Sequence, residues 1–329
     1  MTAPLELITV GRVSVDLYAD EAGAGFQEPQ RFVKSIGGTA TNVAVAAARL
    51  GHRTAVITKV GDDPFGEYVR AKLVSFGVDV RFVGTEPRLR TPLAFAALTP
   101  PEDPELLFYR QPKAPDMQLR PGDVDADVVR RANVFWVAGS AMAEEPARSM
   151  ISELLVARAR APHTVLDLDY RPVLWTDADE ARRIIGGAID HATVAIGNRA
   201  ECEIAVGTRD PDEAARRLLA RGLEIAVVKL GGDGVLVATS DGSAVVPPQP
   251  VEVVCGLGAG DAFGGAFVHG LLSGWPPEQT VAYANAAGAI VASRLLCADA
   301  MPTNDEILTT LGSAQRNELS SESVAGGAQ

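Results

Sequence analysis

Cysteine is scarce in this chain of 329 residues. The sequence has three, Cys202, Cys255 and Cys297, with no C-x-x-C pair and no nearby histidine that would complete a zinc site. Small secreted folds are usually held by several disulfides, and structural zinc sites by four clustered ligands. Both kinds of stabilisation are therefore excluded, and we expect three reduced, mostly buried thiols.

Positive charge is also in short supply. Lys and Arg total 30 against 42 Asp and Glu, which gives a formal net charge of -12. This balance works against nonspecific binding to nucleic acid or to an anionic membrane. No segment approaches the roughly 18 apolar residues of a membrane span, and the N-terminus lacks the pattern of a signal peptide. The sequence predicts a cytoplasmic protein with a small-molecule partner, no nucleic acid and no membrane.

Apolar residues, by contrast, are plentiful at 47 % of the chain, enough for a sizeable core. Short runs rich in β-branched residues, such as "LELITVG", "TAVITKVG", "NVFWVAG", "HTVLDLD", "TVAIGN" and "IAVVKLGG", alternate with helix-like segments such as "DEAARRLLARG". Several of the runs lack polar alternation, as strands covered on both faces should. The alternation predicts an α/β fold with a mostly parallel sheet.

Two segments, from about residue 12 to 36 and from about 88 to 118, break this alternation. They are rich in turn-forming residues and carry several aromatics. We predict short strands that form a small β lid on the larger domain, although surface loops without a function fit the pattern equally well. Residues 1–312 are expected to form a single domain, and the polar, aperiodic tail 313–329 is expected to be disordered.

The stretch "GLGAGDAFGGAF", residues 256–267, places Asp261 in a run of glycine and alanine where a loop becomes a helix. Unpaired N–H groups at a helix N-terminus suit a phosphate, and glycine lets a ligand approach the backbone. Asp261 is then either an ordinary helix-start acid or a general base beside an anion site. A carboxylate aimed at phosphate would repel it, so the second interpretation has Asp261 face a hydroxyl nucleophile, as in a small-molecule kinase.

Other common motifs are missing from the sequence. It contains no G-x-x-x-x-G-K-[ST], no G-x-G-x-x-G after the first strand, no G-x-S-x-G and no H-E-x-x-H. A P-loop, a dinucleotide-binding fold, a serine hydrolase and a zinc protease thus lose their main sequence signals.

At this point the chain resembles the ribokinase-like sugar kinases, also called the PfkB family. "GLGAGDAFGGAF" resembles the C-terminal signature of that family, and "GGTATNVAVAAARLG", residues 37–51, resembles the N-terminal one. The resemblance implies a three-layer α/β/α core with a mostly parallel sheet, a small β-sheet lid, and an ATP- and Mg²⁺-dependent carbohydrate kinase. It also implies that Asp261 is the general base and that the amides of Gly258, Ala259 and Gly260 stabilise the transferred phosphoryl group.

The resemblance further assigns a sugar side to the site. Gly37 and Gly38 leave the backbone open, and Gly38 and Asn42 are expected to contact sugar hydroxyls. Val43 to Leu50 are expected to form a core helix that ends at Gly51. Asp16 in "GRVSVDL" resembles a substrate-binding aspartate of the family, although a lone acid at a strand end is usually just solvated.

The same resemblance implies which residues lie on the nucleotide side of the site. "GNRAECE" matches an N-x-x-E motif that organises magnesium, which implicates Asn198 and, through water, Glu201, unless this is an ordinary helix start. "VVKLGGDGVLV" resembles the strand and turn beside the phosphates, and a plain β-hairpin fits it too. "YANAAGA" matches a segment near adenine. The residues implied are Asn198, Lys229, Gly231, Gly232, Gly234 and Asn285.

One departure concerns a monovalent cation. The family often has an aspartate followed by two threonines before G-A-G-D, where this chain has Cys255, Gly256 and Leu257. A K⁺ site that depends on the aspartate side chain is therefore in doubt.

Two arginines point to an acidic substrate, because a guanidinium can bind both oxygens of a carboxylate. Arg110 lies in "FYRQPKAPDMQL" on the predicted lid, and Arg171 follows a buried strand in "DLDYRPVLW". These segments resemble members of the family that act on sugar acids, and together with "GRVSVDLY" and "ITKVGDDPFGEYVR" they favour 5-dehydro-2-deoxy-D-gluconate, a keto-deoxy acid of myo-inositol catabolism. The alternatives are 2-keto-3-deoxygluconate, a neutral sugar such as fructose or ribose, or a sugar-binding protein without catalysis. The resemblance also suggests a homodimer through the lid.

Overall fold

Buried apolar strands form the centre of the molecule in the computed structural model, which describes residues 4–20, 25–98, 100 and 104–312. The strands in this part of the chain are β1 (Leu7–Val10), β2 (Ser14–Ala19), β3 (Phe32–Gly37), β4 (Thr54–Gly61), β5 (Val83–Glu86), β6 (Leu93–Ala97), β7 (Glu105–Tyr109), β8 (Val134–Ala138), β9 (Thr164–Asp167), β10 (Val194–Asn198), β11 (Ile225–Lys229), β12 (Val235–Thr239) and β13 (Gly242–Val246).

The helices are α1 (Thr39–Arg49), α2 (Pro64–Ser75), α3 (Ala126–Arg131), α4 (Ala147–Arg158), α5 (Ala178–Ile189), α6 (Arg199–Val206), α7 (Pro211–Ala220), α8 (Ala259–Ser273) and α9 (Pro277–Ala292). A further helical segment runs over 304–312. In the described part of the chain, no helix is both long enough and apolar enough to cross a bilayer.

The larger sheet has nine strands in the order β13-β12-β11-β10-β9-β8-β1-β4-β5. Pairing is parallel from β11 to β5, and the hairpin strands β12 and β13 add an antiparallel edge. The predicted mostly parallel sheet is therefore confirmed. Because parallel strands all end at the same edge, the loops after β1, β8, β9, β10 and β11 meet there.

Each face of this sheet is covered by helices because its strands are apolar on both sides. In β8, Val134 and Trp136 belong to one buried cluster, which includes residues of α1, α2, α8 and α9. Phe135 and Val137 belong to a second cluster, which includes residues of α4, α5 and α7. The alternation places successive side chains on opposite faces and gives the expected three-layer core.

The two irregular segments supply a second sheet of four strands in the order β3-β2-β6-β7. Tyr18 and Ala96 on one of its faces are buried against Cys255 and Cys297 of the larger body. Its other face carries exposed apolar side chains, among them Tyr109 at 58 % exposure. The small sheet therefore has one packed face and one open apolar face.

The structure adds two strands that the sequence patterns did not indicate, β5 and β13, both at the edges of the larger sheet. The predicted strands at the centre are present. The core helix expected over Val43–Leu50 is α1, which begins earlier, at Thr39, and ends at Arg49; Gly51, with φ 93°, lies two residues beyond it. The tail 313–329, for which we expected disorder, lies outside the described residues, as do 21–24, 99 and 101–103 of the lid segments.

Candidate active site

Helix α8 begins at the edge of the sheet where the parallel strands end. Gly258 precedes it in the left-handed region at φ 81°, a conformation that glycine adopts without strain. A Cβ at this position would lie 2.6 Å from Cys297 Sγ, so the turn is also too tight for a side chain. The first N–H groups of α8 have no acceptor within the helix. The positive end of the helix dipole therefore faces the site. Gly258, Ala259 and Gly260 thus form the glycine-rich helix start that the sequence predicted.

Asp261 lies in the first turn of α8 and meets the N-terminal signature in space. Asn42 Nδ2, on α1, donates a hydrogen bond of 2.7 Å to Asp261 Oδ2. Burial raises the pKa of Asp261 to about 6; the hydrogen bond from Asn42 opposes the rise, the charge of Asp169 adds to it, and Arg171 and Lys229 oppose it. A carboxyl group that titrates near neutrality is suited to take a proton at physiological pH.

Asn42 has unused hydrogen-bonding capacity at this point. Its side chain is 3 % exposed, and its Oδ1 is buried without a donor from the described residues. Buried polar atoms are almost always paired, so this acceptor beside Asp261 needs a donor that the described residues do not supply.

Asp16 lies on β2, opposite the glycines of the N-terminal signature. Its carboxylate accepts hydrogen bonds from the hydroxyls of Ser14 at 2.6 Å and Tyr18 at 3.2 Å. A Cβ on Gly37 would overlap this carboxylate, and a Cβ on Gly38 would overlap the carbonyl of Arg12. Gly37 is therefore needed for close packing against Asp16, and Gly38 for close packing against the backbone of Arg12. Burial raises the pKa of Asp16.

Arg171 is held at the site by Asp169. Its Nε donates to Asp169 Oδ1 at 2.9 Å, and its side chain is 44 % exposed, so the guanidinium remains accessible. The negative charge of Asp169 raises the pKa of Arg171. Burial alone would raise the pKa of Asp169, but the charges of Arg171 and Arg12 outweigh it and hold that pKa below its usual value. Arg12 Nη2 approaches the other oxygen, Oδ2, at 3.2 Å.

Arg110 has a carboxylate of its own. Its Nη2 donates to Asp116 Oδ1 at 2.5 Å, and both side chains are almost fully buried, at 7 % and 1 % exposure. The same aspartate accepts from the backbone N–H of Val13 at 2.9 Å. Arg110 thus ties the small sheet to its neighbours, and its predicted contact with a substrate carboxylate stays a prediction.

A cavity of about 590 Å³ opens beside the N-terminus of α8, where Gly260 lines it. Five of the six predicted nucleotide-side residues also line it, and Asn198 does not; the five are Lys229, Gly231, Gly232, Gly234 and Asn285. The antiparallel pairing of β11 with β12 shows that the "KLGGDG" stretch is also a hairpin. Asn285 Nδ2 donates to Pro247 O at 3.0 Å, so this side chain both lines the cavity and holds the opposite loop.

Asn198 and Glu201 form a capping box at the start of α6. Asn198 Oδ1 accepts from Glu201 N at 2.9 Å, and Glu201 Oε2 accepts from Asn198 N at 2.7 Å. The helix-start interpretation is therefore correct, and it does not exclude the metal interpretation, because Glu201 is buried beside Lys229.

The donor chemistry at this place fits Mg²⁺ carried by a nucleotide. Among the described residues, no three histidine, cysteine or acidic side chains cluster closely enough to hold a metal by themselves. Mg²⁺ usually needs fewer protein ligands than this, since it keeps several waters and binds one or two carboxylates together with substrate phosphates. Glu201 and Asp167 are buried carboxylates near Lys229, whose pKa they help to raise against the effect of burial.

Sequence reasoning missed four charged residues of this site: Arg12, Asp116, Asp167 and Asp169. Burial raises the pKa of Asp167 to about 8, partly offset by Lys229 and increased further by Asp169 and Glu201. Arg12 and Asp169 each lie two residues beyond the end of a buried strand, and Arg171 lies four residues beyond the end of β9. The rule that ligands gather at the carboxyl ends of parallel strands applied equally to them.

The departure before G-A-G-D is visible in the fold. Cys255 is buried in the cluster that joins the small sheet to the larger body, together with Tyr18 and Cys297. Burial raises the pKa of the Cys255 thiol, so this position holds a neutral group where the family often has a carboxylate. The position therefore supplies no carboxylate for a K⁺ site, as the sequence indicated.

Comparison with known proteins agrees with this architecture. The model of the pfkB family carbohydrate kinases matches residues 5–304. A relative from Geobacillus kaustophilus (strain HTA426), named 5-dehydro-2-deoxygluconokinase, is 36% identical over 311 residues, which cover 92% of this chain and 92% of the relative.

Solved structures are similar over nearly the whole chain. A PfkB protein from Polaromonas sp. JS666 has a TM-score of 0.80 at 26% identity and covers 90% of this chain and 98% of its own. A putative ribokinase II from E. coli, solved with ATP and Mg²⁺, has a TM-score of 0.85 at 24% identity over 93% of this chain and 99% of its own, and it shows the shared fold.

Proposed function

The chain belongs to the pfkB family of carbohydrate kinases, and from that premise we propose that it transfers the γ-phosphoryl group of ATP to the terminal primary hydroxyl of 5-dehydro-2-deoxy-D-gluconate. The observation that carries the proposal is the position of Asp261, between the unpaired amide oxygen of Asn42 on the sugar side and the cavity on the nucleotide side. The name of the Geobacillus relative supports the choice of sugar acid.

In this mechanism Asp261 is the general base. Its raised pKa, about 6, leaves it ionised at neutral pH yet basic enough to accept the hydroxyl proton. Asn42 holds one carboxylate oxygen at 2.7 Å and thereby orients the other toward the acceptor. The amides that follow Gly258 face the transferring phosphoryl group and stabilise its charge without reorganisation.

Lys229 and Glu201 serve the phosphates. Lys229 lies at the end of β11 and lines the cavity; its Nζ would be 3.5 Å from a Cβ on Gly260, so it reaches the start of α8. Glu201, with Asp167 nearby, would hold Mg²⁺ through water. Bound Mg²⁺ supplies charge neutralisation on the phosphate oxygens. Asn285 is assigned to the adenine side on the same wall.

The sugar side is assigned to Asp16, Gly37, Gly38 and Asn42, which would contact hydroxyls, and to Arg171, which would bind the carboxylate. The exposed guanidinium of Arg171 supports this assignment, because its Nε alone is used by Asp169. Arg110 is retained as a second candidate for the carboxylate. The small sheet would close over the sugar and exclude water, which otherwise competes as an acceptor.

We also propose that two copies associate through the open face of the small sheet. Phe32, Phe95 and Tyr109 form a chain of edge-to-face ring contacts there, with ring centres 5.3 and 5.5 Å apart. Leu107, at 43 % exposure, extends the same surface. A contiguous apolar surface of this kind is typical of an interface.

The test is ADP release with Mg·ATP and each of five acceptors: 5-dehydro-2-deoxygluconate, 2-keto-3-deoxygluconate, fructose, ribose and adenosine. We expect turnover with the first compound, and its loss in Asp261→Asn. Preference for a neutral sugar would overturn the assignment of Arg171 and Arg110. Binding of the sugar acids without turnover in the unmodified protein would favour a sugar-binding protein over a kinase.

A further inference from the structure

Three charged side chains meet in a chain of ion pairs at the sugar side of the site. Asp169 accepts hydrogen bonds on different oxygens from two arginines, Arg171 Nε at 2.9 Å and Arg12 Nη2 at 3.2 Å. The hydroxyl of Ser140 donates to the same oxygen as Arg12. The Arg12 and Asp169 side chains are 7 % and 1 % exposed, so the contact between these two is shielded from solvent and little screened by salt.

We propose that Arg12, acting through Asp169, is a specificity-determining positioning residue that keeps Asp169 from fully neutralising Arg171 and so strengthens the attraction of Arg171 for the carboxylate of a monoanionic sugar acid. The proposal rests on the proposed function above and deepens it. It assigns to Arg12 a role in choosing an acidic over a neutral acceptor.

The direct ion pairs support this role. Arg12 and Arg171 contribute two positive charges and share the single carboxylate of Asp169, whereas Arg110 has its own carboxylate in Asp116. The charges of Glu201, Asp261 and Asp167 also act on Arg171, but in the described part of the chain Asp169 is its one direct ion-pair partner. Without Arg12, Asp169 would be left to Arg171 alone, and a ligand carboxylate would meet a weaker positive potential.

The two arginines differ in access. Arg171 is 44 % exposed, whereas the Arg12 side chain is 7 % exposed and lies behind Asp169. Arg12 is fixed there by donation from Nε to Ser140 Oγ at 2.7 Å and from Nη2 to Thr39 Oγ1 at 3.4 Å. Arg12 therefore acts on the ligand through Asp169, because it engages one oxygen of that carboxylate and prevents full neutralisation of Arg171.

The backbone at Asp169 agrees with a functional turn. Asp169 has φ 30°, in the left-handed region that residues other than glycine seldom adopt, although aspartate and asparagine are enriched there. Such conformations persist where surrounding contacts determine them, and they cluster at ligand sites. Here three side chains, those of Arg12, Ser140 and Arg171, hold the carboxylate in place.

The test compares the KM for 5-dehydro-2-deoxygluconate with the KM for fructose in three proteins: wild type, Arg12→Gln and Arg12→Gln/Asp169→Asn. In Arg12→Gln the pair Arg171–Asp169 becomes neutral, so the KM for the acid should rise about ten- to a hundredfold, the range for a lost charge-assisted contact. The KM for fructose and both kcat values should change less than threefold. The double variant restores one excess positive charge and should recover most of the loss for the acid.

A matched control removes an arginine–carboxylate pair at the opposite edge of the sheet. Arg221 pairs with Asp190 at 2.5 Å just before β11 begins, and Arg221→Gln should leave both KM values unchanged. If Arg12→Gln raises the KM for acid and for fructose equally, or if the double variant is no better than Arg12→Gln, the charge-balance role is wrong. If Arg12→Gln does not fold, the double variant decides alone: a KM for the acid within about fivefold of wild type supports the role, and a larger loss contradicts it.

The same data separate this inference from the proposed function. A wild-type protein that prefers fructose to both sugar acids contradicts the proposed function itself. A wild-type protein that prefers the acid, together with an Arg12→Gln variant that keeps this preference, contradicts only the role of Arg12.

Discussion

Asn42 and Asp261 are 219 positions apart in the chain, and the amide of the first donates to the carboxylate of the second at 2.7 Å. The contact joins the N-terminal and C-terminal glycine-rich stretches, which lie on α1 and α8. It explains why the two stretches need small residues: a Cβ on Gly265 of α8 would collide with Ala46 of α1, and one on Gly264 would lie 2.9 Å from Trp136. Close helix packing thus places the proposed base beside its hydrogen-bond donor.

Asp261→Asn should abolish turnover while the fold is retained. Loss of a general base costs about a hundred- to ten-thousandfold in kcat. The same change should stabilise the protein at pH 7.5, by up to about 3 kcal/mol, because burial raises the pKa of Asp261 to about 6 and its ionised form is therefore disfavoured in the folded state. ADP release and urea unfolding measure the two effects, and a destabilised variant would contradict the stability part.

Activity should fall on the acid side of neutrality. Since the proposed base must be ionised, kcat/KM should lose half its value near pH 6, the pKa to which burial raises Asp261. The folded pKa exceeds the unfolded value of 3.8, so protonated Asp261 contributes stability that is complete below about pH 3.8 and lost as pH rises through about 6. The stability gap between wild type and Asp261→Asn should therefore widen across this window.

Asn42→Leu tests the same fall in activity on the acid side of the pH profile, which we call the acid limb. Asn42 hydrogen-bonds the charged form of Asp261 and opposes the rise in its pKa, so removing the amide should move the acid limb upward by about one pH unit. A pH profile that is unchanged in this variant would show that another group controls the limb.

Arg110→Gln should lower stability more than it changes the choice of acceptor. The variant leaves Asp116 buried and without its guanidinium partner, and breaking such a buried pair costs about 3 kcal/mol or more. Adding Asp116→Asn should restore much of the loss, since the amide still accepts from Val13 N. Urea unfolding measures this. A selective rise in the KM for sugar acids, with stability intact, would instead support the original assignment of Arg110 to the substrate carboxylate.

Much of the fold followed from local pattern. Apolar strands such as Val134–Ala138 carry their signal in a few adjacent residues, and the glycine at Gly51 marks the end of its helix. β5 and β13 were missed because short edge strands such as "VGTE" and "GSAVV" are partly polar and have little periodicity.

The residues proposed for the site could be predicted where they sit in a signature, whereas the contacts between their side chains could not. Asp261 and Asn42 were predicted as site residues, but their hydrogen bond is a product of packing. The pairing of Arg110 with Asp116, rather than with a ligand, depends on how the loop after β7 turns back, and the ion pair of Arg12 and Asp169 joins residues 157 positions apart. Sequence spacing does not encode contacts of this kind.

The open face of the small sheet should hold two copies together. Tyr109→Glu places a charge in the middle of the exposed apolar surface and should shift the protein from dimer to monomer in sedimentation velocity at micromolar concentration. Val173→Glu is the matched control, because Val173 is also exposed, at 69 %, but lies outside the small sheet. A wild-type protein that sediments as a monomer would contradict the proposed dimer.

Gly258→Ala and Gly274→Ala should separate backbone strain from a specific effect on the site. Both glycines flank α8 in the left-handed region, with φ 81° and 69°, so alanine costs roughly 1 to 2 kcal/mol at either position. A Cβ at Gly274 meets no neighbour within 4 Å, whereas one at Gly258 would press on Cys297 Sγ and displace the amides proposed to face the phosphoryl group. We expect both variants to melt below wild type, Gly258→Ala the lower because of this clash, and a loss of kcat of at least about tenfold for Gly258→Ala alone. Equal kcat values in the two variants would mean that the turn before Asp261 contributes nothing to phosphoryl transfer beyond its place in the fold.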